Sequence, residues 1–204
     1  MKYPLGARRS RGLIVALVIA VPLVGHADEG FWLFNRVPKE AIKKAYGVAL
    51  SDALLQRVQE ASVRFPGGSG SFVSADGLVL TNHHVAMGFI EKLSTTERDY
   101  VKDGFVARDR IQELKIPDIE LDVLRSITDV TAQVNRGVNP EMPPAAALAA
   151  RRAAIAAIEK TNDVNTGRHS EVVTLYQGAL YHLYQYKKFA DVRLVFAPEF
   201  DIAF

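Results

Sequence analysis

Cysteine is absent from the 204 residues, which excludes disulfides, cysteine-ligated metal sites and a lipid anchor attached through a cysteine thioether. Stability must then come from apolar burial, and at 49% apolar residues the chain can build a core. A real excess of positive charge is also missing. Of the 25 Lys and Arg, four (Lys2, Arg8, Arg9, Arg11) fall in the first 27 residues and none of the 23 acidic residues do, so the remainder carries 21 basic against 23 acidic. With no Lys/Arg cluster on a recognisable motif and no RNA-binding aromatic signature, the chain gives no reason to expect a nucleic-acid partner. The N-terminal apolar run, Leu13 to Val24, carries Pro22 and is about a dozen residues long. Crossing a bilayer takes about 20. No internal repeat is visible, and no His-Glu-x-x-His set accompanies the histidines.

What is present begins with an export signal over residues 1–27: a basic start, the apolar run, and Gly25-His26-Ala27 as a small-residue cleavage site. The mature chain is expected to start at Asp28, to be periplasmic or secreted, and to have no membrane span after cleavage. Its length, about 177 residues, suits one domain. The far end carries Asp191 to Phe196 in strand-like alternation, a break at Ala197-Pro198-Glu199, and an apolar finish from Phe200 to Phe204. Termini are usually polar and frayed. The expectation is a domain truncated at its C-terminal end.

Between these ends, Pro38 to Tyr46 reads as a helix closed by Gly47, and Ser51 to Glu60 as a second capped by Ser51. Ala61 to Phe65 turns extended, and Pro66 to Gly70 is glycine-rich enough to read as a loop. Ser94-Thr95-Thr96-Glu97 resembles a helix start, and Glu120 to Val130 alternates like a strand. Pro143-Pro144 opens an alanine-dense helix over Ala145 to Lys160 that breaks by Asn162. Glu171 to Tyr176 and Leu180 to Phe189 read as strands separated by Gly178. This succession predicts a mainly β fold with helical insertions, a β-barrel rather than an alternating βαβ series.

The chemistry-bearing stretch runs from Gly68 to Ala86. Phe72-Val73 and Leu78-Val79-Leu80 flank Asp76-Gly77, which predicts an antiparallel hairpin with positive φ at the turn. His83 and His84 follow where the second strand stops. Adjacent strand residues point to opposite faces, so one of the two looks into a site. Thr81 and Asn82 are expected to hold the turn by side-chain hydrogen bonds. A metal site on the pair is disfavoured, because neighbouring strand positions diverge. Ser69, in Gly-Gly-Ser-Gly-Ser, lacks the last glycine of a nucleophile elbow, and Ser71, Ser94 and Ser126 have no Gly-Asp-Ser-Gly setting. Asp76 reads as a turn residue, and Asp99, Asp103, Asp118 and Asp129 as solvated or capping charges. His169 and His182 are scattered; His182 reads as a packed or surface strand residue, and the tyrosines at 176, 181, 184 and 186 as an aromatic binding face or, at least as well, as strand formers that pack a barrel. Arg151, Arg152 and Lys160 read as a solvated helix face.

Together with Asp28-Glu29-Gly30-Phe31-Trp32-Leu33, Ala61 to Phe65, Asp99 to Phe105 and Asp191 to Glu199, this stretch resembles the exported serine dipeptidyl-peptidase family that includes dipeptidyl-peptidases 7 and 11, a branch of the chymotrypsin-like clan. The hairpin alone is also similar to periplasmic trypsin-fold proteases of the HtrA type. The resemblance implies the first barrel of a chymotrypsin-like double β-barrel over residues 28–204, peptide substrates with a free N-terminus, no cofactor or metal, and a homodimer. It assigns the general base to His84, the second histidine of Thr-Asn-His-His, over its rival His83. It implies that the triad's Asp and Ser and the substrate-binding residues lie beyond Phe204, leaving a catalytically incomplete barrel module as the alternative for this chain alone. Val85 stands where many chymotrypsin-like enzymes have a cysteine.

Overall fold

A computed structural model describes residues 32–203. The expected export signal, the expected start at Asp28 and the Asp28 to Phe31 part of the family motif lie outside the described residues. In chain order the elements are α1 (Lys39–Tyr46), α2 (Asp52–Ala61), β1 (Ser62–Phe65), β2 (Gly68–Phe72), β3 (Val79–Thr81), α3 (His83–Leu93), α4 (Tyr100–Asp103), β4 (Phe105–Val106), β5 (Leu114–Lys115), β6 (Leu121–Asp129), α5 (Thr131–Asn135), α6 (Pro144–Thr166), β7 (His169–Leu175), β8 (Leu180–Phe189), β9 (Arg193–Leu194), β10 (Phe196–Ala197) and α7 (Phe200–Ala203). A single 3₁₀ turn, Tyr176–Gly178, links β7 to β8.

The frame is an antiparallel six-stranded sheet in the order β3-β2-β1-β6-β8-β7. Its edge strands β3 and β7 do not pair with each other, so among the described residues the sheet is open rather than closed into a barrel. Two short ladders, β4 with β10 and β5 with β9, complete the strand pairing. The run from Asp191 to Phe196 is thus not one strand. Leu194 pairs with Leu114, Phe196 pairs with Val106, and the Val192 and Val195 carbonyls accept from Ile116 and Ala107.

The expected first two helices form, with the Ser51 hydroxyl accepting from the Leu54 N–H at 3.2 Å and Gly47 left-handed at φ 70°. The expected loop at Pro66 to Gly70 does not. Only Pro66-Gly67 turns, and Gly68 to Phe72 is strand, paired from Phe65↔Gly68 to Ser62↔Ser71. Glycine composition pointed to a loop, but here glycine answers a need for space. A Cβ on Gly70 would lie 2.6 Å from the Leu80 carbonyl oxygen and 2.7 Å from the Phe65 ring. The hairpin itself is longer than a two-residue turn. Ser74 to Gly77 forms the loop, the Val73 N–H donates to the Leu78 carbonyl, the Leu78 N–H donates to the Ser74 hydroxyl, and only Gly77 takes positive φ, at 90°.

Two further expectations change. Ser94 ends α3 instead of opening a helix; its hydroxyl returns to the Ile90 carbonyl and accepts from the Tyr100 N–H, and Asp99 caps α4. Helix α6 continues past Asn162 to Thr166, because the Asn162 amide donates to the Ile158 carbonyl of its own helix instead of breaking it. From the C-terminal half of α6 two carboxylates, one on each side of Asn162, reach the outer edge of β7. Asp163 accepts from the Ser170 N–H at 2.7 Å and Glu159 from the Val172 N–H at 2.8 Å.

Apolar burial is divided between two clusters. The first joins Val63, Phe65, Ile90, Tyr100, Phe105, Ile116, Ile119, Leu121, Val123, Leu194 and Ala197, and it underlies α3. The second joins Val130, Val134, Val172, Tyr181 and Leu183, with Ile155 and Ile158 of α6 packed on it.

Candidate active site

The His-His pair is built by the β2–β3 hairpin and the helix that follows. Thr81 donates its hydroxyl to the Ser69 carbonyl at 2.8 Å, tying the end of β3 to β2. Asn82 is extended (ψ 145°), and its carbonyl accepts from the Val85 and Ala86 N–H groups. The chain therefore turns straight from strand into helix, and His83 and His84 occupy the first turn of α3 rather than a strand end. The Asn82 side chain makes no cap hydrogen bond. The i, i+1, i+4, i+5, i+8 spacing of Val85, Ala86, Phe89, Ile90 and Leu93 is the sequence signal for this helix, with its apolar stripe laid on the first core.

The two histidines have different surroundings because successive helical positions diverge by about 100°. His83 is half-buried and meets the Phe200 ring edge to face at 6.4 Å. His84 is exposed. The serines weighed in the sequence have other work: Ser71 and Ser94 donate to backbone carbonyls, Ser126 donates to Gln185 at 2.8 Å, and Ser69 is held by its backbone oxygen. Asp99 caps α4, Asp118 lies in a left-handed turn (φ 55°), and Asp129 accepts from the Thr131 N–H. Among the described residues no group of three or more His, Asp and Glu is placed to hold a metal ion.

Two open clefts lie away from His84. One, of about 830 Å³, runs along Arg64, Phe65, Pro66, the segment 115–120, Asp122 and Ala190. The other, of about 1020 Å³, lies between α2 and the β2–β3 loop. Sequence reasoning passed over Arg64, the organising charge of the first cleft, which bonds Asp122 at 2.8 Å and Glu171 at 2.9 Å and stacks 4.3 Å over the Tyr186 ring. Partial burial lowers the guanidinium's affinity for its proton, but the bonds to Glu171 and Asp122 outweigh it and hold Arg64 above its ordinary value. Burial pushes the Tyr186 hydroxyl up to about 12. His182 is fully buried, with Nε2 3.9 Å from an Asp129 oxygen that also faces Arg36 at 3.7 Å. Tyr181 and Tyr186 are packed and Tyr176 is exposed. Arg151 is not simply solvated, since its Nε donates to Asn135 and joins α6 to α5.

Comparison with known proteins is consistent along nearly the whole chain. Dipeptidyl-peptidase 7 of Porphyromonas endodontalis is 34% identical over 197 residues, covering 91% of this chain and 24% of that protein. The Asp/Glu-specific dipeptidyl-peptidase of the same organism is 33% identical over 202 residues, covering 93% and 28%. The crystal structure of Porphyromonas endodontalis DPP11 in complex with the dipeptide Arg-Glu superposes with a TM-score of 0.70 at 33% identity, over 87% of this chain and 27% of that one. The chain thus spans about a quarter of the length of the curated relatives it matches. The Peptidase S46 family model matches residues 27–204, and the chain belongs to that family.

Proposed function

We propose that residues 28–204 are the N-terminal part of the peptidase domain of an exported serine dipeptidyl-peptidase, which releases dipeptides from the free N-termini of peptides, with His84 as general base. The observation that carries this reading is the exposed imidazole of His84 on the first turn of α3, in a chain about a third identical to dipeptidyl-peptidases. A rigid hairpin tied by Thr81 and a helix seated on a buried core hold the backbone at residue 84. Histidine is the residue type suited to taking a serine proton and passing it to a leaving amine. On this reading the first barrel of a chymotrypsin-like pair is made from the six-stranded sheet and the two short ladders, and the nucleophile and the aspartate come from polypeptide that the relatives possess and these residues do not include.

The test uses the 204-residue chain and a longer chain extended to the length of the relatives. The short chain is expected to show no turnover of dipeptidyl substrates, because an imidazole without a hydroxyl has nothing to activate. The extended chain is expected to release dipeptides and to lose about 10⁶-fold in kcat on His84→Ala, with His83→Ala much milder. Turnover by the short chain that disappears on His84→Ala, or an extended chain indifferent to that substitution, overturns the assignment.

A further inference from the structure

We propose that Gly68 is a positioning residue for His84, acting through Val85. The two meet across the gap between β2 and the first turn of α3. A Cβ on Gly68 would lie 2.5 and 2.8 Å from the two Val85 methyl carbons and 3.2 Å from the Val85 Cβ. Carbon atoms in contact settle at about 3.5–4.0 Å. No methyl at position 68 can therefore coexist with Val85 where it stands.

The requirement is for space alone. Gly68 is not among the glycines with positive φ, so its backbone would accept any L-residue. Val85 is the residue that needs the room: it is half-buried, seated against the first core on one side and the bare backbone of β2 on the other. It follows His84 directly in the chain. The separation of β2 and α3 at this point therefore sets where the His84 backbone lies. Two hydrogen bonds frame the same contact, from the Thr81 hydroxyl to the Ser69 carbonyl at 2.8 Å and from the Val85 N–H to the Asn82 carbonyl at 3.0 Å. A side chain at position 68 pushes Val85 outward, and residue 84 moves with it.

The geometric claim stands apart from the general-base reading, while its catalytic consequence rests on that reading. In the 204-residue chain the His84 imidazole signal is followed by NMR and assigned by its loss in His84→Gln. Gly68→Ala is expected to shift it while the His169 and His182 signals stay in place. Val85→Ala added to Gly68→Ala is expected to bring the signal back towards its original position, because the removed methyls free the space the new one takes. Gly88→Ala, with nothing within 4 Å of the added carbon, is expected to leave His84 unmoved. An unmoved His84 signal in Gly68→Ala, or no recovery in the double variant, overturns the proposal.

If Gly68→Ala unfolds the chain, the pair Gly68→Cys with Val85→Cys decides. The separation of 3.2 Å falls just short of the roughly 3.5–4.5 Å of disulfide-bonded Cβ pairs, a gap that a small outward adjustment closes. The chain has no other cysteine. Treatment with oxidised glutathione is expected to join the two thiols, with the loss of two hydrogens and release of reduced glutathione; failure to join them overturns the contact. In the extended, active chain, Gly68→Ala is expected to lower kcat by about 10²-fold, the cost of about 1 Å of misplacement, with KM little changed and Val85→Ala restoring kcat. Should His84→Ala leave that activity intact while the NMR pattern holds, the contact stands and the general-base reading falls. The opposite pair of results removes Gly68 and keeps the base.

Discussion

The two apolar cores are assembled in opposite ways. The one beneath α3 draws Val63 and Phe65 from near the start of the described chain and Leu194 and Ala197 from near its end, with Ile90, Tyr100 and Phe105 between. The one beneath α6 is made almost wholly from residues 130–183, consecutive elements joined by short links. Its parts are fastened locally: Val130 N–H donates to the Tyr181 carbonyl, and the Thr131 hydroxyl accepts from the Tyr181 N–H. Contacts between distant residues carry a larger loop-closure entropy than local ones. The first core therefore depends on the whole chain being in place, and it is the one on which the candidate histidine rests. The second is a self-contained hairpin-and-helix unit remote from that site.

Substitutions in each core separate these roles. The largest effect is expected from Ile90→Ala, since Ile90 is 2% exposed and anchors α3 to the first core; stability should fall by about 2–5 kcal/mol and the His84 NMR signal should move. Val134→Ala, in a residue with no exposed surface in the second core, should cost about 1.5–3 kcal/mol in chemical denaturation while leaving the His84 signal unchanged. Equal disturbance of His84 by both variants would erase the distinction. Arg64→Ala cuts two partly exposed ion pairs and should cost about 1 kcal/mol, read as a small drop in denaturation midpoint.

The smallest effect is a pH dependence at Asp129, which links β6, α5 and Arg36. Hydrogen bonding from Thr131 holds its carboxyl below the ordinary 3.8. A depressed folded-state value contributes stability that is present above pH 4 and is lost as pH falls through the folded value. The melting temperature of Asp129→Asn should accordingly fall less than that of the parent chain between pH 5 and pH 3, the two curves converging at the acid end.

Much of the fold was legible because its signals are local. Ser51 before Asp52, the alternation from Glu120 to Val130, and Gly178 between two runs rich in Val, Leu and Tyr each announce an element that the structure contains. What stayed hidden depends on distant partners. Gly68 and Gly70 look like loop residues until Val85 and the Leu80 carbonyl are seen crowding them. The helix carrying His84 was readable from the spacing of Val85, Phe89, Ile90 and Leu93, but the strand pattern just before it dominated the reading. Nothing near Asp191 reveals that Leu194 and Phe196 serve two different partner strands. Arg64 offers no local hint of Asp122, Glu171 and Tyr186, which lie 58 to 122 positions away along the chain.

The carboxylates of Asp163 and Glu159 on the β7 backbone have a consequence for self-association. An open sheet margin is a template on which a neighbouring molecule can add a strand, and such templates seed aggregates. Here two anionic side chains occupy the Ser170 and Val172 amides that an incoming strand would use, so α6 stands in for a neighbouring strand. The C-terminal half of that helix, from Glu159 to Asp163, is thus what keeps this margin of the sheet from becoming adhesive.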